Sequence, residues 1–118
     1  MDAFFDDKGH PKVRLRVGGT KNKRILEAIL DTGFDGYLSL PISMAVQLGL
    51  ELIGTDTVQY ADGRTANELV FSVVVKLDKS EQLVPATLTG GIEALAGTAL
   101  VSGYAVTFDF PKERIFFK

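Results

Sequence analysis

Residues 29–36, which read ILDTGFDG, form the stretch that decides the fold. Its apolar residues lead directly into Asp31, and Thr32 and Gly33 follow that carboxylate. An apolar run that ends in Asp and Gly is typical of a β-strand that enters a turn. The same pattern also suits a carboxylate that is held at a strand end to accept or donate a proton. Other segments of the sequence are needed to decide whether Asp31 is part of a structural turn or is a catalytic carboxylate.

The spacing of apolar residues predicts short strands along most of the chain. Apolar positions at 13, 15 and 17 alternate with Arg14 and Arg16, which is typical of a half-buried strand. Residues 25–30 are predicted to return beside it as a hairpin. Further strands are predicted at 37–40, 58–60, 69–77, 83–88, 104–110 and 115–117. Turn residues recur about every 8–12 positions, which favours a small barrel or sandwich.

Two short helices are predicted within this β-rich pattern. Residues 41–48 begin with Pro41, which suits the first helical position, and are followed by Gly49, which suits a helix end. Residues 97–101 are predicted to form the second helix. The predicted fold class is therefore all-β, or mainly β with two short helices.

Size and composition fit one ordinary domain. The chain has 118 residues, of which 46% are hydrophobic and 24% charged. We expect a flexible N-terminal segment over residues 1–11 and one folded domain over 12–118. The chain has no cysteine and one histidine, His10, in a polar N-terminal stretch. This composition argues against a disulfide, a zinc site and a Ser-His-Asp triad, and no cofactor is expected.

Charge and hydropathy argue against two classes of partner. The formal net charge is -2, and the chain lacks the basic stripe typical of nucleic-acid binding. The local group Lys21, Lys23 and Arg24 is interpreted as a solvated hairpin end. Residues 1–12 do not resemble a signal peptide, and no stretch reaches the roughly 20 apolar residues that cross a membrane. We therefore expect a cytoplasmic protein that binds neither a membrane nor nucleic acid.

Two further segments accompany the Asp31 triplet along the chain. The first is the tip of a predicted hairpin, where Asp62-Gly63 is a tight-turn signal because both residues tolerate positive φ. This tip consists of Tyr60, Ala61, Asp62, Gly63 and Arg64. The second segment, Leu95, Ala96 and Gly97, places two apolar residues and a glycine before the predicted second helix. In that order and at those separations, residues 13–110 resemble the retropepsin-like (clan AA) aspartic proteases, and their single-domain prokaryotic members most of all.

The resemblance implies a closed acid-protease barrel half and a role for each segment. Asp31 matches the catalytic residue, and Thr32 and Gly33 match the residues that support its loop. Residues 60–64 match the flap that closes over substrate, and residues 95–97 match the hydrophobic-hydrophobic-Gly motif that packs behind the catalytic loop.

The catalytic chemistry needs a second carboxylate. The chain carries one triplet, and Asp35 lies too close in the same loop to be the partner of Asp31. An isologous dimer supplies the second carboxylate from another copy of the chain. Two carboxylates a few ångström apart share one proton, so one activates a water and the other polarises the peptide carbonyl.

Some positions depart from the family pattern and leave alternatives open. Phe34 stands where many members have a small residue, and its ring either narrows the cleft or forms a wall that selects substrate. Asp35 either lines a subsite or ties down the loop. Thr98 departs from the usual start of the segment after the motif, and the flap tip is less rich in glycine than viral flaps.

The sequence therefore predicts a homodimeric aspartic endopeptidase that acts on peptide or protein substrates. One alternative is a catalytically silent module that binds peptides or dimerises, and another is a monomeric accessory domain. The C-terminal phenylalanines have two interpretations, core packing or a dimer seam with Phe4 and Phe5. They are Phe108, Phe110, Phe116 and Phe117.

Overall fold

The computed structural model describes all residues from 1 to 118, and the fold is mainly β. Strands contain 57% of the residues and the single helix 6%. In chain order the elements are β1 (Asp2–Phe5), β2 (Pro11–Gly18), β3 (Lys23–Leu30), β4 (Leu38–Pro41), α1 (Ile42–Leu48), β5 (Glu51–Gln59), β6 (Thr65–Leu77), β7 (Ser80–Thr89), β8 (Ala94–Ala96), β9 (Val106–Asp109) and β10 (Arg114–Phe117). With its one helix of seven residues, the structure offers no helical segment able to traverse a bilayer.

Six strands close into a barrel, in the order β2-β3-β8-β4-β7-β6 with β6 returning to β2. One edge of β2 serves two neighbours: residues 11–14 pair with β1, and residues 16–18 pair with β6. The predicted alternation in β2 is confirmed, because Val13, Leu15 and Val17 are buried while Arg14 and Arg16 are exposed. The barrel interior holds a single cluster of 17 buried apolar residues.

The hairpin of β5 and β6 extends beyond the barrel. Strand β5 pairs only with β6, and β6 reaches β7 only from Phe71 onward. Every residue of β5 except Val58 is exposed. Because neither face of this hairpin is buried, β5 shows no alternation, which explains why the sequence predicted only residues 58–60 of it.

Helix α1 confirms the prediction for residues 41–48. Pro41 precedes the helix as its N-cap, and Gly49 ends it in the left-handed conformation at φ 69°. The loop between β2 and β3 covers this helix end. There the backbone N–H of Lys21 donates to Leu48 O, and that of Thr20 donates to Gly49 O, each at 3.0 Å. These bonds satisfy carbonyls that a helix C-terminus leaves without partners.

The prediction of a second helix at 97–101 is wrong. Residues 98–103 form successive turns, with Leu100 N–H donating to Gly97 O at 3.1 Å and Tyr104 N–H donating to Val101 O at 3.0 Å. Both bonds span three residues, whereas an α-helix repeats bonds that span four. The Ser102 hydroxyl donates a hydrogen bond to the Ala99 carbonyl oxygen at 3.0 Å. A side chain therefore occupies an acceptor that a helix would use for a backbone N–H.

Two short strands were not predicted. Strand β8 has three small or apolar residues, and β1 lies in the N-terminal segment 1–11 that was expected to be flexible. Strand β1 pairs with β2, and its Phe5 ring lies 5.1 Å from the Phe110 ring between centroids. Phe108 and Phe117 pack against the core. The packing interpretation therefore fits Phe108 and Phe117, whereas Phe110 and Phe116 are 62% and 43% exposed, and the dimer seam stays a prediction.

Asp6 organises the turn between β1 and β2. Its Oδ1 accepts backbone N–H bonds from His10 at 2.8 Å and Lys8 at 3.0 Å, and Lys12 Nζ lies 3.2 Å from Oδ2. The bond from His10 is the main reason why the pKa of the Asp6 carboxyl lies below its usual value of 3.8. Lys12 lowers this pKa further, while desolvation opposes the shift.

A carboxyl whose pKa is lower in the folded state stabilises the fold when the pH is above the pKa of the unfolded state. This stabilisation is lost as the pH falls through the pKa of the folded state. We therefore expect Asp6→Asn to lower the Tm above pH 3.8, and the gap to the wild type to close at lower pH. Thermal unfolding across an acidic pH series measures this. Asp7→Asn is the control, because the Asp7 carboxylate makes no hydrogen bond or ion pair. A gap that stays constant as the pH falls contradicts the assignment.

Candidate active site

Asp31 is the first residue after β3, whose last residue, Leu30, is buried in the core. Its backbone N–H donates to Ala96 O at 2.9 Å, and its Oδ1 accepts the Gly33 N–H at 2.9 Å. Oδ2 makes no hydrogen bond within the chain, and the residue is half-buried. One carboxylate oxygen is therefore fixed by the loop, and the other is open to a water or a second carboxylate.

Strand β8 lies directly behind the Asp31 loop. It pairs in parallel with β3, Leu30 opposite Ala96, and antiparallel with β4, Leu38 opposite Ala96. The loop from Asp31 to Tyr37 therefore crosses the end of β8. The structure thus brings together the predicted triplet and the predicted residues Leu95, Ala96 and Gly97.

Backbone hydrogen bonds hold this loop in place. The N–H groups of Gly97, Thr98 and Ala99 donate to the carbonyls of Tyr37, Phe34 and Gly36, at 3.0, 2.8 and 3.2 Å respectively. Thr98, noted above as a departure from the family pattern, contributes through its backbone. A loop with this many main-chain bonds keeps the Asp31 carboxylate in one position relative to the barrel.

Two glycines make room for the Phe34 ring. A Cβ added to Gly97 would lie 2.6 Å from Phe34 O and 2.7 Å from Phe34 Cδ2, closer than real Cβ contacts. A Cβ added to Gly36 would lie 2.7 Å from two atoms of the same ring. The half-buried ring therefore folds back over Gly36 and Gly97.

Thr32 and Asp35 have no side-chain partner in the chain. Both are exposed, and neither side chain makes a hydrogen bond. The Asp35 carboxylate makes no contact that would tie down the loop, so that alternative is not supported. The Thr32 hydroxyl is free to bond outside the chain.

A small apolar recess of about 40 Å³ opens beside Asp31 and Thr32. Val101, Val106 and Phe108 line it together with Leu30. The sequence did not place these three residues at the site. They lie some 70 residues further along the chain, Val101 in the turns at 98–103 and Val106 and Phe108 on β9, and only the folded chain brings them beside Asp31.

The predicted flap tip forms a loop that is bonded to itself. Tyr60 N–H donates to Arg64 O at 2.8 Å, and Gly63 N–H donates to Tyr60 O at 2.9 Å. Arg64 Nε lies 2.6 Å from Asp62 Oδ2. The predicted tight turn at Asp62-Gly63 is present, and of the two residues only Gly63 adopts positive φ, at 86°. The tip is a three-residue loop with glycine in the left-handed position, and no hydrogen bond joins it to the Asp31 loop.

Comparisons with known proteins assign no family. No protein-family model matches the chain, and no curated protein matches it significantly. The retropepsin-like resemblance therefore rests on the residues and contacts described above.

The close approach at Gly97 predicts the effect of a methyl group there. We expect Gly97→Ala to destabilise the protein by about 1–3 kcal/mol, because the added Cβ overlaps the Gly36 carbonyl, the Phe34 carbonyl and the Phe34 ring, which must move. Urea unfolding measures the change. Gly103→Ala is the matched control, since a Cβ there meets nothing within 4 Å, and should stay within about 0.5 kcal/mol of the wild type. Equal unfolding midpoints for the two variants would show that the loop is not packed as described.

Proposed function

We propose that the chain is one half of a homodimeric aspartic endopeptidase of the retropepsin-like type. The observation that carries the proposal is the half-exposed Asp31 carboxylate on a loop that backbone bonds fix across the end of β8. The order of the segments along the chain supports the same assignment. The Asp31 loop comes first, the β5–β6 hairpin follows, and the Leu95–Gly97 segment comes last and packs behind the loop.

The dyad forms when two Asp31 loops meet on a two-fold axis. Oδ1 is occupied by the Gly33 N–H, and Oδ2 is open, so each carboxylate offers one oxygen to the shared site. Thr32 is exposed and without a partner, which suits a hydrogen bond to the other loop. A symmetric pairing of this kind brings identical residues together on the axis.

Peptide hydrolysis then follows from two carboxylates that share one proton. The ionised carboxylate takes a proton from the water, whose oxygen attacks the peptide carbonyl carbon. The protonated carboxylate donates its proton to the carbonyl oxygen. When the tetrahedral intermediate collapses, the C–N bond breaks and the leaving nitrogen takes up a proton.

The β5–β6 hairpin is the candidate flap. It pairs with nothing beyond its base, and its tip residues are exposed. Elements with few buried contacts open and close at low cost in free energy. A closed flap would exclude water and hold an extended peptide against the site.

A catalytically silent peptide-binding module is the second candidate function. The Arg64–Asp62 ion pair ties the flap tip to itself, and this favours a stiffer, less adaptable flap. The two candidates share the fold and the dimer and differ only in whether Asp31 performs chemistry.

We expect Asp31→Asn to lower peptide cleavage by about 10²–10⁴-fold while the fold is retained, because an amide cannot take a proton from water. Cleavage of a mixed peptide library across about pH 4–8 measures this. Glu51→Gln is the control, because it removes an exposed carboxylate on β5, outside the Asp31 loop, that makes no hydrogen bond or ion pair, and it should keep activity. Activity per chain should also rise with protein concentration until the dimer is saturated.

Two outcomes contradict the proposal. Cleavage that persists in Asp31→Asn would assign the activity to other residues. A folded dimer that cleaves nothing in the library would favour the silent module.

A further inference from the structure

A basic recess lies on the outer face of the barrel, at the end of β3 opposite to Asp31. It has a volume of about 270 Å³, near the lower limit of small-ligand pockets. We define the basic recess by the outward-facing residues Arg16, Gly18, Lys23, Ile25, Val74 and Lys76. Asp31 follows the far end of the eight-residue strand that begins at Lys23, roughly 25 Å away. The basic recess is therefore separate from the candidate active site and does not depend on the proposed function.

Gly18 lines the recess, and its backbone conformation does not require glycine. Its φ is not positive. The nearest backbone atom to an added Cβ, Asn22 O, would lie 3.8 Å away, an ordinary contact. The closest atom is Lys23 Cγ at 3.2 Å, so the Lys23 stem occupies the space of a side chain at position 18. Glycine inside a strand weakens the sheet and often marks a close approach by a ligand.

The strand register concentrates positive charge at this point. Arg16 of β2 lies directly opposite Lys76 of β6, and like charges in that position destabilise a sheet. Lys23 stands on the other side of the recess. Arg16, Lys23 and Lys76 take part in none of the ion pairs of the structure.

Nearby carboxylates leave most of this charge uncompensated. Glu81, opposite Lys76 on β7, is the one acidic residue of the recess wall and forms no ion pair within 4.0 Å. Asp2 and Asp78 line an adjoining recess together with Arg16 and Lys76, but Asp2 is paired there with Arg14, as is Glu27. Asp78 is paired with the N-terminal ammonium.

We propose that the basic recess binds a small organic phosphate. The phosphoryl group lies among Arg16, Lys23 and Lys76, because several converging cations suit a dianion and the arginine fork matches its oxygens. The apolar part of the ligand packs on Val74 and on Ile25, whose side chain is 56% exposed. A ligand with both parts accounts for the mixed lining of the recess.

NMR titration of the ¹⁵N-labelled chain with phenyl phosphate tests the proposal. The titration uses about 0.15 M salt, where charges more than about 8 Å apart are screened. We expect saturable shifts at the backbone amides around Gly18, Lys23 and Lys76, and weaker binding of inorganic phosphate, which lacks the apolar part. Arg16→Gln should weaken phenyl phosphate binding at least about tenfold. Lys112→Gln, which removes one exposed positive charge at the turn between β9 and β10, should leave affinity within about twofold.

Gly18→Val tests the shape of the recess without changing its charge. Valine is favoured in strands, and its side chain displaces the Lys23 stem, so binding should be lost while the fold is kept. Gly18→Ala serves the same purpose if the valine variant does not fold. The proposal is overturned if phenyl phosphate gives no saturable shifts in the wild type, if Lys112→Gln weakens binding as much as Arg16→Gln, or if the folded Gly18 variant binds as the wild type does.

Discussion

The pairing of β8 along both of its edges is the constraint on which the barrel and the candidate site both depend. Strands β3 and β4 do not pair with each other, and the three residues of β8 join them. The same segment continues into Gly97, whose N–H and missing Cβ let the Asp31 loop lie directly on it. The shortest barrel strand thus completes the ring and positions the carboxylate, so a change at Gly97 acts on stability and on the site together.

The sequence predicted those parts of the fold in which one face of an element is buried. Strand β2 alternates between core and solvent, and α1 begins after a proline and ends at a glycine, so local patterns were sufficient. Strand β5 has no buried face, and β8 has too few residues to show any period. Residues 97–101 were predicted as a helix because apolar spacing does not reveal that the Ser102 hydroxyl donates to the Ala99 carbonyl.

The candidate site was predictable where neighbours in sequence are neighbours in space. Asp31, Thr32 and Gly33 lie on one loop, and the motif 95–97 was placed behind it through resemblance to a family. The fit of the Phe34 ring over Gly36 and Gly97 joins distant segments and has no local signal. The basic recess was missed for the same reason, because Arg16 and Lys76 are 60 residues apart and only the pairing of β2 with β6 sets them side by side.

Mixing wild-type chains with Asp31→Asn chains tests most directly whether the active unit needs Asp31 from both subunits. With wild-type protein held constant, an equal amount of the variant should reduce peptide cleavage to about half, and an excess should drive it toward zero, because mixed dimers hold one carboxylate. Unchanged cleavage at every ratio of the two chains would contradict the account, since each wild-type chain would then act alone.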